Sequence, residues 1–288
     1  MWLEVLKSFL SIALELTILF IAISFVISLL QGFIPYEKLE KYLSGKNTVL
    51  GAVMALVFAF ITPFCSCSTI PVVVNLLNKR IRFGIVMVFL FSSPVLDPTI
   101  ITLMGAMLGV KVAIAYTVIT SVLSVIIGFT LERLGFENQV KQVVMTGYEQ
   151  KHKKFNINAA LLETLALMKT VYPYLIIGAA IGSVIHGVVP TEWVTTYIGG
   201  EQWWMVPVAA IIGIPLYIRL STMIPISQIM IAKGMALAPA MALMISSAGA
   251  SLPELTLLHS IFKKRLVGAF VVSVFTMSTI SGLLFYLI

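Results

Sequence analysis

Cys65 and Cys67, the only two cysteines in the chain, sit one residue apart in Thr62-Pro63-Phe64-Cys65-Ser66-Cys67-Ser68-Thr69-Ile70-Pro71. Two thiols bracketing a serine can turn toward one cavity where the backbone is irregular, and thiolates select soft species such as Cu(I), Zn(II) or trivalent arsenic. Nearby helix N-termini would lower the thiol pKa and favour the reactive form. Two thiols fall short of the four ligands of structural zinc, so any metal bound here is expected to be in transit. A disulfide between them would be strained, and two cysteines make no disulfide framework. The bland alternative is a pair of small hydrophobes packing a helix break. Ser66, Ser68 and Thr69 supply hydroxyls that replace part of a solute's hydration. Pro63 and Pro71 remove backbone donors, which predicts unwound chain between them.

A second polar island, Ile214-Pro215-Leu216-Tyr217-Ile218-Arg219-Leu220-Ser221-Thr222, contains an arginine inside an apolar stretch. A charge at membrane depth is expensive, so Arg219 reads as a functional residue with a partner to be named. It would attract an anionic solute or a coupling carboxylate, and Tyr217, Ser221 and Thr222 would line the same place. The alternatives are a structural ion pair, or snorkelling from a shallow segment. Asp97 and Glu254 are the candidate partners, and each has two readings. A carboxylate in a low-dielectric cleft has a raised pKa and can carry a proton through a cycle. Asp97 before Pro98 and Glu254 after Pro253 also suit helix capping. Glu15, early in the first apolar run, is a third acidic candidate.

The elements that hold these residues must lie in lipid. Hydrophobic residues make up 59% of the chain and charged ones 11%, against roughly 45–50% and about 25% in soluble domains. The chain is therefore expected to be an all-α, multi-pass membrane protein. Met1–Leu6 has Trp2 and Glu4 in place of a basic leader, so no cleavable signal is expected. The net charge of +7 does not mark nucleic-acid binding, because the basic residues gather at the ends of apolar segments. There they set orientation and meet anionic lipid. No phosphate-binding glycine loop, nucleophile elbow or His-x-x-x-His pair is present, which leaves an ATP-driven or hydrolytic engine unsupported and no cofactor expected. The scattered methionines read as core filler.

Two polar breaks recur in a second copy about 154 residues on. Pro63 and Pro71 match Pro215 and Pro225, and Ser92-Ser93 matches Ser246-Ser247. Leu96-Asp97-Pro98 lies against Ser251-Leu252-Pro253-Glu254, and Lys111 falls on Arg265. The expected organisation is a first membrane repeat over 1–131, a polar cytoplasmic linker over 132–158 and a second repeat over 159–288. Matching breaks in two halves are the best sequence pointer to a transporter's binding site. If 48–78 and 203–232 are re-entrant hairpins, fourteen Lys and Arg face the cytoplasm and three face out; if those pieces span, the split is ten to seven. The positive-inside rule prefers hairpins, and an odd number of spans per half makes the repeats inverted. Trp193, Trp203 and Trp204 then form an outer aromatic belt.

Pro63-Phe64-Cys65-Ser66-Cys67, the Leu14-Glu15 first span ending in Phe33-Ile34-Pro35, the paired-serine breaks and the duplicated layout resemble the ArsP-type predicted permeases. The resemblance covers nearly the whole chain, and the Cys-Ser-Cys after a proline is its most specific element. It implies an inner-membrane exporter of trivalent organoarsenicals such as methylarsenite, with Cys65 and Cys67 binding arsenic through sulfur. The resulting expectation is a secondary-transport permease, not an enzyme, that exports a small thiophilic solute. Its partners are that metalloid or small-molecule substrate and the bilayer. The rival readings are a membrane thiol oxidoreductase working through Cys65 and Cys67, and a non-transporting scaffold.

Overall fold

The computed structural model describes residues 14, 17–18, 48–61, 66–78, 81–141, 202–215, 220–232 and 234–287. Pro63, Cys65, Tyr217, Arg219, Glu15 and Trp193 lie outside them. Ten α-helices lie among the described residues: α1 (Thr48–Ile61), α2 (Ser66–Asn78), α3 (Phe83–Ser92), α4 (Pro98–Met107), α5 (Val110–Arg133), α6 (Met205–Gly213), α7 (Leu220–Ala232), α8 (Leu237–Gly249), α9 (Leu252–Ile261) and α10 (Lys264–Leu284). A single isolated bridge is the sole β-type pairing among them. The chain is an all-α polytopic membrane protein.

Helix length sorts these elements. α5 has 24 residues, about 36 Å, enough to cross a hydrocarbon core of roughly 30 Å. α10 with the 3-10 turn after it matches that length. One side of α5 faces outward through Val110, Ile114, Val118, Val122 and Ile126. This four-residue recurrence marks a lipid-facing stripe. α8 and α9, bent by 43° at their junction, together make one broken crossing. α1 and α2, at 14 and 13 residues, reach only about 20 Å each and stop part-way.

α1 and α2 form a re-entrant hairpin. Arg82, just beyond α2, donates to Thr48 Oγ1 at the start of α1 at 2.6 Å and to Glu132 Oε1 at the end of α5 at 3.1 Å. The chain thus goes in along α1 and comes back along α2 to the level where α5 ends. α6 and α7 repeat this at the other side of the membrane. The start of α6 and the start of α8, to which α7 leads, both meet Gly282 near the end of α10. α10 itself begins beside the residues that follow α5, where Lys263 N donates to Gln139 O at 2.8 Å. The pairs α1–α2 and α6–α7 therefore begin at opposite ends of the molecule. Six of the seven described Lys and Arg residues lie at the end where α5 stops, with Lys111 alone at the other.

All ten residues of α3 are buried, as are most of α8, which is expected of helices that are apolar on every side and ringed by neighbours. α3 packs on α5, α1 and α2; α8 packs on α10, α6 and α7. Both long crossings rely on a glycine. A Cβ on Gly128 would stand 2.8 Å from Gly84 O, and one on Gly282 would stand 3.0 Å from Ala238 O. Without side chains there, the helix backbones approach closely, the usual route to tight packing in lipid. Gly128→Val and Gly282→Val should each destabilise the fold by about 1–3 kcal/mol, the usual cost of overpacking. Gly268→Ala, with open space around it, should not. Unfolding in mixed SDS micelles checks this, and equal midpoints for all three variants would remove the close-crossing account.

Candidate functional site

The first turns of α2 and the end of α6 meet the helices that are broken. Thr69, in the first turns of α2, pairs its hydroxyl with Ser93 Oγ at 3.0 Å, and both residues are buried. Ser93 opens the turn between α3 and α4. α3 is ten residues long, about 15 Å from the basic end, so this junction lies near mid-membrane. In the second hairpin, Gly213 ends α6 directly against the paired serines, and a Cβ there would meet Ser246 Oγ and Leu243 O. Both Cys-Ser-Cys and the Arg219 island thus flank segments that the structure anchors to a helix break.

The expectation of unwound chain from Pro63 to Pro71 is corrected at one end. α2 begins at Ser66 and runs through Pro71, so Ser66, Cys67, Ser68 and Thr69 contribute helical backbone. α7 likewise runs through Pro225 and includes Ser221 and Thr222. Each proline is the sixth residue of its helix and removes only one ladder bond, which the neighbouring packing tolerates. That missing bond is informative. The carbonyl four residues back, at Cys67 in α2 and at Ser221 in α7, loses its helical donor and becomes an acceptor in the first turn.

Asp97 and Glu254 both serve as caps. Asp97 is the N-cap of α4, its carboxylate accepting from Thr99 N at 2.8 Å, with Pro98 at the first helical position. Ser251 is the N-cap of α9 and forms a capping box with Glu254. The structural counterpart of Asp97 is thus Ser251, and Glu254 sits three residues further on. A capping role is compatible with a proton-carrying one, because Glu254 is only 1% exposed. A carboxylate that deep is costly without compensating partners.

These contacts bring four short helices together with their N-termini inward. α2 packs on α9, and α4 packs on α7, where Gln228 Nε2 donates to Met107 O at 3.3 Å. α2 and α9 both run from the middle to the basic end, while α4 and α7 both run to the opposite end. Neither α2 nor α7 has an acidic residue in its first turn, so the positive ends of their dipoles face the centre uncompensated by a first-turn acid. Such a centre attracts anions. Among the described residues no three His, Cys, Asp or Glu side chains group as a metal site.

Helices that end inside the membrane, opposed hairpins and a broken crossing define a permease-type architecture. The family model for the ArsP_1 predicted permeases matches residues 1–287, and the chain belongs to that family. It is 24% identical to UPF0718 protein MJ0584 of Methanocaldococcus jannaschii, over 83% of each chain. It is 27% identical to UPF0718 protein YraQ of Escherichia coli K12, over 85% of this chain and 70% of the relative. No solved structure matches.

Asparagine caps a helix about as well as aspartate but carries no titratable proton. If capping is the role of Asp97, Asp97→Asn should keep thermal stability and solute flux, while Asp97→Ala should cost about 1 kcal/mol. Thermal unfolding and vesicle flux measured side by side check this; flux lost in Asp97→Asn at unchanged stability would instead assign proton coupling.

Proposed function

We propose that this permease is a secondary transporter that exports a small thiophilic solute, such as a trivalent organoarsenical or a soft metal species. The solute docks where the two hairpin tips approach the helix breaks. Cys65 and Cys67 capture it through sulfur. The dipoles of α2 and α7 hold the captured species in its thiolate-bound form, and Ser66, Ser68, Thr69, Ser221 and Thr222 replace part of its hydration. Arg219, with Asp97 or Glu254, manages the charge that enters or leaves with it.

The single observation that carries this reading is the 3.0 Å Thr69–Ser93 contact. It ties the first turns of α2, on which the thiol segment opens, to an interruption at mid-membrane. Polar side chains at that depth, beside a helix break, suit a solute that must be reached from both faces. Support for two inverted repeats comes from the recurrence of elements. α2 and α7 are equally long, as are α4 and α9, and in each pair both bounds lie 154 residues apart. Their contacts also exchange: α2 with α9 becomes α7 with α4. A two-fold axis in the membrane plane would produce that exchange and supply the two matched states of alternating access. The basic end of the described residues is cytoplasmic by the positive-inside rule, which places the linker inside.

Everted vesicles loaded with trivalent methylarsenical, Cu(I) or Zn(II) test the proposal. The native chain should accumulate at least one of these, and Cys65→Ser or Cys67→Ser should lower that uptake by about ten- to hundred-fold, at least the loss seen when weaker outer-shell support is removed. Equal accumulation by native and variant vesicles for every solute would overturn sulfur capture.

A further inference from the structure

Among the described residues, the corners at the two ends of the molecule are held differently. At the basic end, the residues that follow α5 pair with the corner between α9 and α10 as a short antiparallel ladder, Val140 against Phe262. Lys141 N donates to Ile261 O at 2.9 Å, and Lys263 N donates to Gln139 O at 2.8 Å. Lys263 Nζ adds a bond to Asn138 O at 3.2 Å, and Lys141 Nζ donates to His259 O. Val140 and Phe262 are both buried, in the same apolar cluster as Leu77 of α2 and Leu258 of α9. Partial burial there lowers the pKa of the Lys141 ammonium.

The equivalent corner at the far end lies between α4 and α5. There Met107 O, which occupies the place of Ile261 O, accepts one bond from the exposed Gln228 side chain at 3.3 Å. Paired backbone bonds over a buried Val–Phe contact resist separation far better than one exposed amide.

From this asymmetry we infer that residues 139–141 are a latch, which holds the permease shut on its basic end and must release before the central site opens there. α2 and α9 pack side by side and parallel between the centre and that end. The latch straps the C-terminal end of α9 to the end of α5, so α9 cannot swing outward while the ladder is intact. Among the described residues the far corner has the Gln228 bond and the apolar packing of α4 on α7, without paired backbone bonds across it. The inference rests on the alternating-access reading above, and in an exporter it makes entry from the cytoplasm the gated step.

A cysteine reporter tests it without any substrate. Ser93→Cys, fully buried beside the hairpin tip, is placed in a Cys65→Ser/Cys67→Ser background and labelled with a membrane-impermeant maleimide from each face of oriented vesicles. Lys141→Pro deletes the donor to Ile261 O. It should raise labelling from the basic-end face about five- to ten-fold, the population shift that one lost backbone bond allows. Phe262→Ala, which keeps every backbone bond but empties the contact with Val140, should raise it on the same face. Gln139→Ala, which leaves the ladder whole, should label at the starting rate. Unchanged labelling in both Lys141→Pro and Phe262→Ala, or an equal rise from both faces, would overturn the latch. A one-sided rise in a protein that moves none of the thiophilic solutes would keep the latch and discard the substrate.

Discussion

A helix that stops halfway through a bilayer leaves four amides or four carbonyls where there is no water to receive them. Each such group left in hydrocarbon costs several kcal/mol. The described residues contain several ends of this kind. The chain surrounds them with capping side chains, buried hydroxyls and the breaks of neighbouring helices. Asp97 and Ser251 cap two of the helix starts, and Thr69 and Ser93 join a third to the α3–α4 turn. Everything else in the architecture serves to bring these ends to one depth.

That depth is set by packing. α3 and α8, buried along their length, are the posts on which both hairpins and both long crossings lean. Gly128 and Gly282 let α5 and α10 approach those posts closely enough that polar groups near the middle are screened from lipid. Each group of five helices leans mainly on its own post. Among the described residues the groups meet where α2 packs on α9, α4 on α7 and α5 on α10, where Phe91 of α3 stacks on Phe270 of α10 at 4.8 Å, and at the bridge of residues 139–141.

Much of this was legible in the amino-acid pattern, for identifiable reasons. Apolar composition fixes the membrane class, because nothing else keeps 59% hydrophobic residues soluble. The Ser92–Pro98 interruption is a true break because Pro98 can only begin a helix, and Asp97 before it supplies the cap. Charge placement carried the expectation of sidedness, since lysines and arginines report which end of a segment faces the cytoplasm. Pro71 and Pro225 misled, because a proline near a helix start removes one bond without ending the helix when neighbours fill the gap. Glu254 was legible as a first-turn acid after Pro253, and it completes the capping box with Ser251, which holds the position of Asp97. The ladder at 139–141 had no signal at all. Three residues of ordinary composition pair with a distant corner, and a contact that long-range leaves no local periodicity.

The central claim is that sulfur at the tip of the first hairpin receives the cargo, and the local structure of the bound cargo tests it most directly. X-ray absorption at the arsenic edge, on purified protein equilibrated with trivalent methylarsenical, reports the atoms bonded to arsenic. The account predicts two sulfur neighbours in the native chain and none in the Cys65→Ser/Cys67→Ser protein. An arsenic environment that is the same in both proteins would contradict it.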